Sequence, residues 1–565
     1  MTNVEFSKNQ LMLNFDLLDL PSAQHKAGLA GLILVIETMK IRRLEPRPLF
    51  ELKPNHVKIT FSQESMQNLF DDVYDAEWVE ATVTSKWPNK KPKRVEEQEE
   101  EVEGKKKKTK RFIYDVVQPK GSVLKTFFPA GDTVWLKLWR DMTWSILRGI
   151  PATRNVYTHR ADKKNTKIAS EIWKATEKWL SSLATNKPCS ESLSSSLYLG
   201  AESQNPERID FSGISPENLL LHFWSFASFL FIPRQFEIKR EAERIRVKAS
   251  FDDGFVFAIP EISNIEDFFH EFMDILRSLD LTTIGYRPKQ SLIDLFEEGG
   301  LEYLHLFAHH QAVGAGNVKY SLHAVELYHV RKDGNRIRQL AADRVLPHAS
   351  ILFDYEQARE NLRNPYYKRI YLRNLLRSKP WYSGAEEIFQ TEVSALFVSS
   401  QKTPRDVPFF GLDVRAKFAK IQKSIKLKGV AQMSPSEGTD QSDLRIYQLV
   451  QNYLRRRTEE KSGKKYEEFC NNKDQNGKIL FPKEYREALE KVSMDAFLAM
   501  RSRRDQDFVE YFTGTICSVP QFLPEREFAV VATKLIKDWQ TIKTLSMLAI
   551  SAISYLGKSE QEEHE

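Results

Sequence analysis

Residues 11–43, LMLNFDLLDLPSAQHKAGLAGLILVIETMKIRR, constrain the fold more than any other stretch of this chain. The run begins as a short strand, turns at Pro21-Ser22, and continues as a long apolar helix. Ser22 stands where its side chain accepts a free backbone N–H of the first helical turn. From Ala23 to Met39 apolar residues cover most of the helix circumference, which predicts burial on several sides. Gly28 and Gly31 cost such a helix about 1 kcal/mol each relative to alanine. That cost makes sense where a second backbone comes close.

The rest of the chain supplies a body large enough to bury that helix. At 565 residues, 41% of them hydrophobic, it predicts two to four domains. Strand-like alternation at Val57, Ile59 and Phe61 leads into a short helix opened by Ser62, and Trp78–Val83 and Phe112–Val117 read as further strands. Between these last two lies SKWPNKKPKRVEEQEEEVEGKKKKTKR, residues 85–111. It is blocky in charge and poor in apolar residues, and is expected to be a mobile loop. Leu219–Ile232 is too short to span a bilayer comfortably and reads as buried helix, with a helix expected over Pro216–Phe231. Asp253-Gly254 is expected to turn a hairpin between Ile245–Phe251 and Phe255–Ile259, and Asp333-Gly334 a second one. The first 428 residues are thus expected to form an α+β body with small antiparallel sheets and many helices. GVAQMSPSEGTDQS, residues 429–442, breaks the pattern and predicts a linker. Residues 443–565 read as an all-α bundle of four or five helices.

Positive charge is unevenly placed. Residues 431–565 hold 20 Lys/Arg against 22 Asp/Glu, while the whole chain carries a net +6, so the surplus lies upstream. Three segments concentrate it. ATRNVYTHRADKKNTK, residues 152–167, follows the stop at Gly149-Ile150-Pro151 and reads as a loop between two helices. Arg154, Asn155, Arg160, Lys163, Lys164 and Lys167 are its candidates for phosphate and base-edge contact. Residues 359–379, RENLRNPYYKRIYLRNLLRSK, have no acid after Glu360. On a helix from Pro365, Arg369, Arg373 and Arg377 share one face, with Arg363 and Lys368 nearby. Like charges at that spacing repel by tenths of a kcal/mol unless an anion bridges them. The third segment, 402–428, adds Lys420 and Lys423. In each case the competing reading is an ordinary solvated face or a pairing with acids of the same fold.

Catalytic signatures are scarce. The chain has no phosphate-binding loop of the G-x-x-x-x-G-K-[ST] type, no G-x-S-x-G, no H-E-x-x-H and no His-Asp pair. His305 and His309, one helical turn apart beside His310, are the nearest approach to a metal cluster, and partly buried hydrogen-bonded histidines are the competing reading. Three separated cysteines fit a reducing cytoplasm rather than a disulfide scaffold. Gly314-Ala315-Gly316-Asn317 reads as a glycine-rich turn that lets backbone approach a ligand, with the Asn317 amide able to read a minor-groove edge.

The run FDLLDLPSAQHKAGLAGLILVIE resembles the N-terminal signature of the large subunit of type I-B CRISPR surveillance complexes (Cascade) in their cyanobacterial and myxobacterial branch, and the order of segments follows more loosely. The resemblance implies a subunit without catalytic residues, cofactor or metal. It implies as partners a guide CRISPR RNA, target double-stranded DNA, the backbone and tail subunits, small subunits and a helicase–nuclease, and no membrane. Recognition of the target-flanking motif (PAM), aid to duplex opening and stabilisation of the R-loop are the implied roles. A glycine loop at the flanking duplex draws attention to Asn317. The bundle from 443 resembles the family's small subunit, for which Met433 is a candidate internal start. Two other readings stay open: a metal-dependent nuclease built on His305 and His309, and a scaffold that contacts only proteins.

Overall fold

A computed structural model of the chain describes residues 3–556 except 8, 89, 103–104, 129–133, 147–150, 185–188, 194–196, 201–210, 242–243, 251–253, 313–320, 334–335, 400–406, 429–441, 474–478 and 519–524. The chain divides into two compact units. One comprises Met1–Arg234 with Phe251–Phe353, the other Gln235–Ser250 with Asp354–Glu565. Small sheets lie in the N-terminal part and helices dominate the C-terminal part, the α+β and all-α combination expected.

In the first unit, strands β1 (Asn3–Ser7) and β2 (Gln10–Asp16) lead into helix α1 (Ala23–Ile41). Ser22 caps α1, its Oγ accepting from His25 N at 3.3 Å. Strands β3 (Leu49–Lys53) and β4 (His56–Ser62) complete an antiparallel sheet of order β1-β2-β4-β3. In β2 and β4 alternate residues, Leu11, Leu13 and Phe15 with Val57, Ile59 and Phe61, are fully buried. Helix α1 is buried nearly all round because its glycines admit neighbours. A Cβ on Gly28 would stand 2.2 Å from the Leu220 carbonyl oxygen, and one on Gly31 2.1 Å from that of Phe223. The close backbone inferred from the two glycines is therefore residues 219–226.

That segment is not the helix expected over Pro216–Phe231. It runs as a short helix Ser215–Asn218, 3-10 turns Leu219–His222 and Trp224–Phe226, and then the strand Phe229–Pro233. A continuously apolar run carries no period to separate a buried helix from a buried strand, and here sheet pairing decides. Phe229–Pro233 is an interior strand of a five-stranded sheet ordered Leu292–Ile293, Phe229–Pro233, Phe255–Ile262, Leu322–Asp333, Arg336–Val345. The first pair is parallel and the others antiparallel. Its last two strands form the hairpin expected around Asp333-Gly334. The hairpin expected at Asp253-Gly254 does not form. Arg244–Ser250 pairs backward with Gln235–Glu241, and Phe255–Ile262 joins the large sheet.

Residues 85–111 also depart from expectation. Strands β5 (Ala76–Val83), β6 (Arg94–Val102) and β7 (Lys105–Pro119) form a sheet of order β5-β7-β6. The register sets Glu97 opposite Lys110, Glu99 opposite Lys108, Glu100 opposite Lys107 and Glu101 opposite Lys106. Opposite charges facing across strands stabilise a pairing, and Lys110 lies 3.5 Å from Glu97.

The second unit gathers helices around one core that draws on both sides of residues 429–442, of which 429–441 lie outside the described residues. Tyr367, Phe389, Phe397, Phe410 and Phe418 pack with Leu449, Leu454, Phe497, Leu545 and Leu548. Gly411 repeats the device of α1, since a Cβ there would meet the Ser551 carbonyl oxygen at 2.1 Å. Lys543, with no exposed surface, reaches Glu386 at 3.1 Å and donates to the Arg503 carbonyl at 2.8 Å. Among the described residues no helix is long and apolar enough to cross a membrane.

Candidate nucleic-acid interface

The strongest basic segment folds as expected, into the helix Pro365–Leu376. Asn364 caps it, accepting from Tyr367 N at 3.0 Å while its amide donates to the Pro408 carbonyl at 2.7 Å. The buried Asp413 carboxylate accepts the backbone N–H groups of Arg363 and Asn364 at 3.1 and 2.7 Å. Burial pushes the Asp413 pKa up while those N–H groups pull it back. At the far end the Asn374 amide donates to the carbonyls of Trp381 and Ser383. Both ends of the helix are thus fixed to its own unit.

This anchoring sorts the candidate cations. Tyr366, Tyr367, Ile370 and Leu372 face the core, and Lys368, 9% exposed, goes in with them. Arg369 is half-buried, its guanidinium 5.4 Å from the centre of the Phe236 ring. Arg363, Arg373 and Arg377 are exposed. Arg373 and Arg377 form no ion pair with any described residue. Arg373 in the last turn and Arg377 at the C-cap suit the negative end of the helix dipole, which stabilises the cations without neutralising them.

The helix Phe410–Lys428 packs beside this one. Its Lys417 lies 5.7 Å from the Tyr371 ring, and burial together with Lys420 lowers its pKa. Lys420 donates to the Gln357 side-chain oxygen at 3.0 Å, and Lys423 is exposed. Arg415 points inward instead, donating to the carbonyls of Ala552 (2.8 Å) and Tyr555. The result is a surface of exposed cations with half-buried Arg369 on a ring and Lys417 beside one. Phe236 was not singled out as a site residue from sequence, because only packing brings residue 236 to residue 369.

The other basic segment belongs to the first unit and differs from the loop expected. Residues Pro151–Ala161 are a helix, and only 162–167 turn into the helix Ile168–Ala184. Pro151, read as a stop, occupies the first helical position, where its fixed φ is favourable. Tyr157 on this helix is buried 5.1 Å from the Tyr74 ring. The turn is built rather than loose. Asp71 accepts from Thr166 N at 2.8 Å, and Arg160 bridges the Lys164 carbonyl at 3.0 Å and Asp71 at 3.7 Å. Lys163 takes a left-handed φ of 61°. Lys164 lies 3.7 Å from Asp162, which leaves Arg154, Asn155, Lys163 and Lys167 exposed and Arg160 committed to the fold.

Asn317 and its glycine turn lie outside the described residues. His305 is half-buried on the helix Glu298–Ala312. Among the described residues no three His, Cys, Asp or Glu side chains are grouped to hold a metal.

Residues 48–317 match the family model of the type I-B CRISPR Cas8b N-terminal domain, and residues 322–553 that of the type I-B CRISPR Cas8b C-terminal domain. No curated protein matches the chain. The matched residues begin just after α1, so the stretch that carried the resemblance lies outside them.

Proposed function

The chain belongs to the type I-B CRISPR Cas8b family, the large subunit of that system, and from that premise we propose that it holds nucleic acid within an RNA-guided surveillance complex without breaking bonds itself. Its partners in this reading are the guide RNA, target duplex, backbone and tail subunits, small subunits and a helicase–nuclease that it recruits. Pairing with the guide reads the long sequence. The protein then has to recognise a short flanking motif, help open the duplex and give the R-loop a positive track. Asn317 is the proposed reader of a minor-groove edge beside the target.

One observation carries the proposal. Arg373 and Arg377 stand four residues apart, exposed and without ion pairs among the described residues, on a helix anchored at both ends. Lys420 and Lys423 lie on the helix packed beside it. Two cations held in that way recruit phosphate with little further ordering. The test is affinity for double-stranded DNA over a potassium chloride series, comparing the wild-type chain with R373Q/R377Q. Each lost phosphate contact lowers the slope of log affinity against log salt by about 0.9, so the double variant should lose about 1.8. An unchanged slope removes both residues from the interface, and a wild-type affinity indifferent to salt favours the protein-only scaffold. Metal-dependent cleavage by the isolated chain, abolished by H305A/H309A, would favour the nuclease reading.

We also propose that residues from 443 onward act as a small subunit, made separately from a start at Met433. Such a product would lack Phe389, Phe397, Phe410 and Phe418, which cover its core in the full chain. It would therefore need a partner for that face.

A further inference from the structure

We propose that the second unit holds a nucleotide-binding pocket distinct from the basic helix surface, in which one unstacked base lies between aromatic walls. The site is a cavity of about 400 Å³, open to solvent, formed where the helices Phe410–Lys428, Ser442–Ser462, Lys483–Ser502 and Trp539–Ile553 converge. That volume lies in the range of small-ligand sites, about 300–1,000 Å³. One wall is Tyr447, whose ring is backed by Phe418 at 4.6 Å. The other is an aromatic cluster in which Tyr466 and Phe481 lie 6.4 Å apart and Phe481 stacks on Tyr485 at 5.9 Å and 23°.

Polar groups define the ligand. Among the lining residues none is acidic, and Arg415 and Arg455 both contribute. The Arg415 guanidinium is fixed by the Ala552 and Tyr555 carbonyls. Arg455 rests over the Tyr466 ring at 4.3 Å and is paired with Glu459 at 3.1 Å and Glu467 at 3.7 Å. At the rim the Gln451 amide is exposed and makes no hydrogen bond to a described residue. Aromatic faces suit any base, an amide reads a base edge, and preplaced guanidinium groups suit a phosphate. A purely apolar ligand would leave the Gln451 amide unanswered. A carboxylate alone would leave the aromatic walls unused. A nucleotide answers all of them, whether it belongs to a strand or is free.

The strand form of this inference rests on the nucleic-acid reading above. The experiment uses the full chain, a 12-nucleotide single strand, the same strand with its bases removed, and thymidine monophosphate. Two variants probe the pocket: Q451W, which fills it from an exposed position, and Y466A, which removes part of one wall. If a strand base is the ligand, the wild type should prefer the strand with bases by about tenfold, as expected for loss of one stacked base. Both variants should reduce that preference while retaining the wild-type salt slope. If a free nucleotide is the ligand, thymidine monophosphate should bind the wild type and not Q451W, with no base preference for the strand. Equal affinity for both strands together with no mononucleotide binding overturns the proposal, as does a preference that survives in both variants. Failure of the wider reading looks different: neither strand then binds with salt dependence, while the mononucleotide arm still reports on the pocket.

Discussion

The close packing against α1 can be tested by adding a single methyl group. In G28A the new Cβ would sit 2.2 Å from the Leu220 carbonyl oxygen and 2.7 Å from its carbon, and in G31A 2.1 and 2.8 Å from the same atoms of Phe223. Ordinary contact begins near 3.4 Å, so a backbone has to retreat by about 1 Å. Leu220, Leu221, Phe223 and Trp224 are all buried, so that retreat disturbs a packed core. Overpacking of this kind costs about 3 kcal/mol at the upper end of its usual range. The helix regains about 1 kcal/mol on replacing glycine by alanine. Each variant should therefore lose about 2 kcal/mol of stability. The double variant should lose less than twice that, because both methyls push the same segment. Gly514 is the control, since a Cβ there meets nothing within 4 Å. Hydrogen exchange of peptides spanning Leu29–Ile36 reads the effect within its own unit. Exchange from the unfolded unit should quicken about 30-fold in G28A and G31A and stay unchanged in G514A, whose site belongs to the other unit. Wild-type exchange in the two α1 variants would show that the backbones are not in contact.

Two other predictions concern the first unit. Arg234 forks onto Asp294 at 2.8 and 2.7 Å, with the Asp294 side chain 2% exposed. R234M removes this fork from a buried carboxylate and should lower stability, by up to about 3–5 kcal/mol, and an unfolding midpoint equal to wild type would refute this. His25 and His222 are held neutral, burial lowering both pKa values to about 4 from an ordinary 6.5. The unfolded chain therefore takes up protons before the folded one does. Stability is full above about pH 6.5 and is lost as pH falls toward 4, by about 3 kcal/mol per ring. H222N should flatten the fall of the unfolding midpoint with acid, and an unaltered pH profile would contradict it.

Much of the fold was legible locally. Ser22, the apolar run behind it and two costly glycines specified α1 and its close neighbour, and Pro365 marked the start of the basic helix. What the sequence could not supply was the identity of the neighbour, because a glycine records that something is near without saying what. Leu219–Ile232 became turns and a strand because a uniformly apolar run has no period of its own, and partners in a sheet supplied one. The charged blocks of 94–111 looked unable to order themselves while each was considered alone. Their antiparallel register places acid opposite base.

The candidate site divides along the same line. Spacing put Arg369, Arg373 and Arg377 on one face, but only packing turned Lys368 inward, laid Arg369 on Phe236 and left the other two exposed. Arg160 looked like its neighbours until Asp71, far away in sequence, engaged it. The pocket between Tyr447 and Phe481 had no signature at all, since its walls come from segments separated by tens of residues. Periodicity and caps act within a few residues and can be read along the chain. Register, burial and cavities depend on distant atoms meeting, and the tertiary structure alone decided those.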